Sequence, residues 1–192
     1  MRVVWTAVVG AVVCVLAGCS SGATPAADTL PPLSSTTASA APSSDALPPQ
    51  GPPDFPVPPE ARTHDDAGAT AFTYYFVDLV KHQQAVPDGQ PIRDLSTECI
   101  TCASIAQKFD DAAAAGHHYV GAAVAIVSVA RPTAEGETVI VSFLAETQAG
   151  VIVDEEGNVV ESAHAAASLG SGIQLRWSDS LQGWVVIAFD VG

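Results

Sequence analysis

The pair Cys99 and Cys102 offers the most chemistry of any closely spaced residues in the sequence. Thiols at this spacing form a disulfide in an oxidising compartment, act as a redox pair, or supply two ligands to zinc. Redox catalysis needs a thiolate with a lowered pKa, and the negative charge of the adjacent Glu98 opposes it. A zinc site would need His117 and His118, which point to opposite faces of a strand. We therefore favour a structural disulfide.

Asp78 and His82 are a second candidate, because four residues correspond to about one turn of a helix. Facing a pocket, they would form an acid–base pair; on an exposed helix face they are an ordinary surface pair, which we favour. The sequence contains no phosphate-binding loop, dinucleotide fingerprint or nucleophile elbow. It predicts no cofactor and no metal, and it favours a function other than catalysis.

Cys19 closes an apolar N-terminal run that has the features of an export signal. Arg2 precedes this run, and the apolar residues 3–17 are fewer than the roughly 20 that a spanning helix needs. The run ends in Leu16-Ala17-Gly18-Cys19, which resembles the bacterial lipobox. The resemblance implies transfer of a diacylglyceryl group to the thiol of Cys19, cleavage between Gly18 and Cys19, and acylation of the new N-terminal amine with a fatty acid such as palmitate. Such a protein is a lipoprotein anchored to the extracytoplasmic face of the cell membrane.

The amino-acid composition restricts the classes of molecule that the protein can bind. The chain has 192 residues and a formal net charge of −14, so the basic surface typical of nucleic-acid binding is not expected. Attraction to anionic headgroups is also disfavoured, and contact with the membrane is expected through the lipid on Cys19. Besides the membrane, we expect the protein to bind a small apolar ligand or an envelope protein.

The chain divides into three parts by composition. Residues 1–18 form the signal peptide. Residues 19–59 contain the lipidated Cys19 and a segment rich in Ser, Thr and Pro, which predicts a disordered tether because it lacks the apolar side chains for a core. Residues 60–192 form one domain.

The first half of this domain has helical patterns. Thr63 or Asp65 can cap a helix whose apolar positions recur every three or four residues. Pro87-Asp88-Gly89 ends it, and Gly116 ends a later helix. The predicted elements are a long helix with Phe72, Tyr75, Phe76, Leu79 and Val80 on one face, a short helix at Ile92–Leu95, and a third with Ile105, Ala106 and Phe109 on one face.

The second half has strand patterns, and residues 163–171 allow either a loop or a bend. Helices followed by antiparallel strands predict an α+β fold. The order is similar to the NTF2-like cone, in which helices pack on one curved sheet around a pocket; a cystatin-like fold is the alternative. The predicted strands are Tyr119–Ala130, Glu137–Thr147, the hairpin Val151–Val153 and Val159–Ser162, then Ile173–Trp177 and Trp184–Phe189.

The aromatic residues of the domain would either line the pocket of a cone or fill an ordinary core, which we favour. A filled interior would argue against both an enzyme and a small-ligand carrier, leaving a module that interacts through its surface.

Three strings, Pro58–Arg62, Gly68–Tyr75 and Leu95–Cys102, resemble a family of actinobacterial lipoproteins of unknown function. The resemblance implies an extracytoplasmic location and the fold above. It implies no activity and supplies no catalytic residues.

Overall fold

The computed structural model describes residues 47–121 and 123–192. The predicted signal peptide, Cys19 and most of the tether lie outside these residues. No helix in the described part of the chain is long and apolar enough to cross a membrane.

Three α-helices follow a short 3₁₀ helix in the first half of the domain. The first begins where predicted, because the carboxylate of Asp65 accepts a hydrogen bond of 2.7 Å from the backbone N–H of Gly68. Gly116, with φ of +68°, follows the last helix as expected for a C-terminal glycine. The elements are the 3₁₀ helix Pro59–Arg62, α1 Asp66–Ala85, α2 Gln90–Asp94 and α3 Ile100–Ala114.

Eight strands follow, and all of their pairings are antiparallel. The fold is therefore α+β, as predicted. They are β1 His118–Val120, β2 Ala123–Val129, β3 Thr133–Glu135, β4 Thr138–Gln148, β5 Gly150–Val153, β6 Val159–Ala163, β7 Ala166–Ser178 and β8 Gly183–Val191.

The strands form two sheets, whereas one was predicted. The larger has the order β2-β4-β7-β8, with β3 also paired to β4, and the smaller has the order β1-β5-β6. The predicted strand Tyr119–Ala130 is interrupted at Gly121, whose φ of +84° is incompatible with an extended chain. Its two halves, β1 and β2, therefore belong to different sheets. The ambiguous residues 163–171 contribute mainly to β7.

The space between α1 and the larger sheet is filled. Phe72, Phe76 and Leu79 of α1 are fully buried, and the ring of Phe76 meets that of Phe189 edge-on at 5.4 Å. The prediction of a filled core is confirmed, and the pocket expected inside a cone is replaced by side chains. The facing sheet contributes Val141, Ile173, Leu175, Trp184 and Val186.

Residues 47–58, here called the strap, pack on the domain although they were predicted to belong to the disordered tether. Val57 is part of the core, and its N–H donates to the carbonyl of Gln50 at 2.9 Å. The side chain of Gln50 is buried and donates to the carbonyl of Leu181 at 3.2 Å. The predicted boundary at residue 60 is therefore wrong, because apolar side chains between the prolines anchor the strap.

Candidate functional site

Cys99 and Cys102 lie at the start of α3, with their sulfurs 2.05 Å apart, and form a disulfide. Both are buried in the core, and Sγ of Cys99 caps the helix by accepting from the N–H of Cys102 at 3.1 Å. The disulfide therefore cross-links the chain at the junction of α2 and α3. Its sulfurs are bonded to each other, so they are not available as thiolate ligands to zinc. Across the described residues, no group of three His, Cys, Asp or Glu side chains is placed to hold a metal.

Asp78 and His82 do not form the pair that the sequence allowed. Nε2 of His82 lies 3.0 Å from Oδ2 of Asp54, and its ring stacks on that of Phe55 at 4.7 Å. Asp78 is exposed on the outer side of α1. The predicted surface pair of Asp78 with His82 does not form, because the partner of the partly exposed His82 comes from the strap, which had been predicted to be unfolded.

A cleft of about 510 Å³ lies on the surface between the helices and the smaller sheet. We call it the helix–sheet cleft. One cross-strand row lines it, because Tyr119 pairs with Ile152 and Ile152 pairs with Glu161. The helical side contributes Gln84, Lys108, Asp111, Ala112 and Ala115, and His117, Gly150 and Val151 complete the lining.

The cleft exists because small helix residues face larger strand residues. Ala112 and Ala115 leave space opposite Ile152. The ring of Tyr119 is held by an edge-on contact with Phe109 at 5.7 Å. Burial, and to a smaller degree the nearby carboxylate of Glu161, raise the pKa of Tyr119. Tyr119 therefore stays protonated and offers a hydrogen-bond donor beside a carboxylate.

The charges at the cleft favour a cation. Asp111 and Glu161 are the carboxylates of the lining, and Lys108 is its only lysine or arginine among the described residues. Oε1 of Gln84 is buried without a hydrogen-bond partner, which leaves one more acceptor at the helical side. An apolar group carrying a positive charge or N–H donors therefore complements the cleft.

The ionisable side chains that line the cleft are not linked to one another in the described structure. A nucleophile activated by an adjacent base requires two such groups within hydrogen-bond reach. Within the described residues, no hydrogen bond joins two ionisable side chains of the cleft. The arrangement supports recognition by shape and charge.

Sequence reasoning did not predict this cleft, although it singled out one lining residue, His117, as a possible zinc ligand. Tyr119 was assigned only to a strand, and Ile152 and Glu161 only to a hairpin. The hairpin was correctly predicted, but no local signal revealed that β1 pairs with β5 to complete the row. Asp111 and Lys108 are three residues apart on α3, a pattern common on any exposed helix.

Comparisons with known proteins do not assign a family. The sequence matches no protein-family model, and no curated protein matches it. Among solved structures, the chain is similar to the intermembrane space region of the chloroplast protein ARC6, with a TM-score of 0.47 and 15% sequence identity. That similarity covers 67% of this chain and 97% of the other, and at this level it carries no argument about function.

Proposed function

We propose that this protein is a lipid-anchored interaction module of the cell envelope that binds its partner through the helix–sheet cleft. The filled core carries this proposal, because it leaves recognition to the surface, where the cleft combines an apolar floor with carboxylates in a volume of about 510 Å³. The occupant is an apolar group with a cationic or N–H donor end, presented by an envelope protein.

The anchor is the acylated Cys19, which holds the domain on the extracytoplasmic face of the membrane. The signal-like N-terminus and the lipobox-like Leu16–Cys19 support it. The disulfide of Cys99 and Cys102 is consistent with an oxidising compartment.

We further infer that the chain is a member of the actinobacterial lipoprotein family that it resembles. The strings that carry the resemblance hold residues with defined structural roles. Arg62 donates to the carbonyl of Leu181 at 3.1 Å, and Gly68 lies against the backbone of Thr63. Cys99 caps α3.

Membrane fractionation and mass spectrometry of the mature N-terminus test the anchor. The wild-type chain is expected in the membrane fraction with an acylated N-terminal Cys19, and Cys19→Ala is expected to lose both. Cys14→Ala is the matched control, because Cys14 lies within the predicted signal and should not change the mature protein. A soluble, unacylated wild-type chain would refute the anchor.

NMR titration tests the cleft, using the full mature chain with Cys19→Ser so that it carries no lipid. Phenethylamine combines an aromatic ring with an ammonium group, and phenylacetate carries a carboxylate on the same ring. We expect phenethylamine to shift the amide signals of Ala115, Tyr119 and Ile152, and to bind more tightly than phenylacetate, because the cleft has two carboxylates and one ammonium.

A pair of neighbouring substitutions provides the specificity control. Ala115→Trp fills the cleft and should abolish these shifts, whereas Ala114→Trp adds the same ring to an exposed position outside the lining and should preserve them. Equal binding of the two compounds, or binding that survives Ala115→Trp, would contradict the proposed recognition.

A further inference from the structure

We propose that the groove between the strap and α1 docks an extended, proline-containing segment of a partner protein that carries Lys or Arg. We call it the strap groove; its volume is about 480 Å³. The site is separate from the helix–sheet cleft and does not depend on it. It is lined by Phe55, Pro56, Pro58 and Glu60, and by Ala71, Tyr74, Tyr75 and Asp78 of α1.

The base of the strap groove is held in place before any partner arrives. The ring of Phe55 stacks between those of Tyr75, at 5.4 Å, and His82, at 4.7 Å. The hydroxyl of Tyr75 donates to the carbonyl of Phe55 at 2.9 Å. Burial raises the pKa of Tyr75 far above its ordinary value, so this donor is retained. A preformed groove avoids the entropy cost of ordering its walls on binding.

The exposed wall is aromatic and proline-rich. Tyr74 keeps 43% of its surface exposed although it is a large aromatic residue, and Pro56 beside the groove is also exposed. Aromatic grooves recognise the polyproline II conformation, because its rigid, ridged surface packs on flat rings with a low entropy cost.

The backbone chemistry excludes strand addition in this groove. Pro56 and Pro58 have no backbone N–H, and the N–H of Val57 is already bonded to Gln50. The amides of α1 are engaged within the helix. A bound segment therefore cannot form a β-ladder with the strap. A polyproline II segment needs no such ladder, since it has no internal backbone hydrogen bonds.

The charge of the strap groove selects a cationic segment. Glu60 and Asp78 are both exposed, and no Lys or Arg is among the described residues that line the groove. The chain's own residues 20–46 contain prolines but carry Asp28 and Asp45 and no Lys or Arg. Their charge opposes docking here, which points to a segment from another protein.

Fluorescence anisotropy with three labelled synthetic peptides tests the proposal on the full mature chain with Cys19→Ser. The probe is the peptide RPPLPRP. The peptide EPPLPEP reverses its charge, and RAALARA removes its prolines. We expect RPPLPRP to bind, and each of the two controls to bind at least about tenfold more weakly, a difference of about 1.4 kcal/mol.

Substitutions locate the binding. Tyr74→Ala should weaken binding of RPPLPRP about tenfold, as loss of an aromatic anchor does. Glu60→Gln and Asp78→Asn should each weaken it severalfold, whereas Glu137→Gln, at an exposed site outside the groove, should not. Ala115→Trp should also leave it unchanged, which separates this result from the test of the helix–sheet cleft.

Several outcomes would overturn the proposal. One is that RPPLPRP does not bind at about 1 mM, which is the weak end of specific recognition. Another is that EPPLPEP or RAALARA binds as tightly as RPPLPRP. The third is that Tyr74→Ala leaves the binding unchanged. Circular dichroism of each variant confirms that a loss of binding is not a loss of fold.

Discussion

Nε2 of His82 lies 3.0 Å from Oδ2 of Asp54, which joins the last turn of α1 to the strap. Arg62 precedes the first turn of the same helix, so residues 54–62 run antiparallel to α1, whereas Pro48 lies beside Arg62. The hydrogen bond between Tyr75 and Phe55 lies between these two ends. The strap is therefore an integral layer of the domain.

Removal of the strap should destabilise the domain. A fragment of residues 60–192 loses the burial of Val57 and Phe55 and leaves the hydroxyl of Tyr75 without its acceptor. We expect its free energy of unfolding to be about 3–5 kcal/mol lower than that of residues 47–192. Urea unfolding measures the difference. Equal stability of the two fragments would restore the boundary at residue 60.

Loss of the disulfide should lower stability moderately. Closing a loop as short as Cys99–Cys102 restricts the unfolded chain by about 2 kcal/mol in the entropic estimate. The double variant Cys99→Ala/Cys102→Ala should lose about that amount in urea unfolding. Maleimide labelling of the unfolded wild-type protein without reductant should find both thiols blocked, and free thiols there would reopen the redox and zinc interpretations.

Low pH should remove the contribution that the charged carboxylate of Asp110 makes to the stability of the domain. The hydrogen bond from Arg93, followed by the backbone N–H of Gly89, holds the pKa of Asp110 below its ordinary value of 3.8. A depressed pKa in the folded state contributes stability above the unfolded value, and this stability is lost as the pH falls through the folded value. Asp110→Asn should therefore be less stable than wild type at about pH 7, by up to about 1 kcal/mol for so exposed a pair.

That difference should shrink as the pH falls through the folded pKa of Asp110, because the wild-type carboxyl then also becomes protonated. Asp111→Asn is the neighbouring control, because among the described residues the carboxylate of Asp111 accepts a hydrogen bond only from the exposed Gln107. A deficit in Asp110→Asn that stays constant with pH would mean that packing, rather than charge, is responsible.

Substitution by alanine should destabilise the domain much more at Gly68 than at Gly157. A Cβ on Gly68 would lie 1.9 Å from the carbonyl oxygen of Thr63, so backbone must move. We expect Gly68→Ala to cost about 2–4 kcal/mol. Gly157 has φ of +84° but nothing within 4 Å of an added Cβ, so Gly157→Ala should cost about 1 kcal/mol from the backbone conformation alone.

Fluorescence distinguishes the two effects, because the carbonyl of Thr63 also accepts from the indole N–H of Trp184 at 3.0 Å. Gly68→Ala should shift the tryptophan emission, and Gly157→Ala should not. A Gly68→Ala protein with unchanged stability and emission would contradict the close approach.

The elements that were predicted correctly depend on interactions between residues that are close together in the sequence. The cap at Asp65 and the apolar spacing of α1 are local, as is the turn beginning at Asp154 between β5 and β6. The strap was mistaken for a spacer because its prolines indicate disorder, whereas the burial of Phe55 and Val57 depends on a surface formed more than a dozen residues later.

The candidate sites depend on pairings that no local pattern encodes. The helix–sheet cleft requires β1 to leave the larger sheet at Gly121 and pair with β5. A glycine after a short strand also fits a bulge, so the sequence could not distinguish one long strand from two. The strap groove was missed because its first wall was assigned to the tether.

The strap also determines where mechanical load enters the protein. A pull on residue 47 is transmitted first to Pro48, whose carbonyl accepts from Arg62 at 2.8 Å, and then to Gln50, bonded to the turn at Leu181. These bonds join the start of the strap to Arg62, just before α1, and to the β7–β8 turn. A pull from this end is therefore borne first by hydrogen bonds at the edge of the domain, and it would disturb the strap groove, one wall of which is the strap, before the helix–sheet cleft.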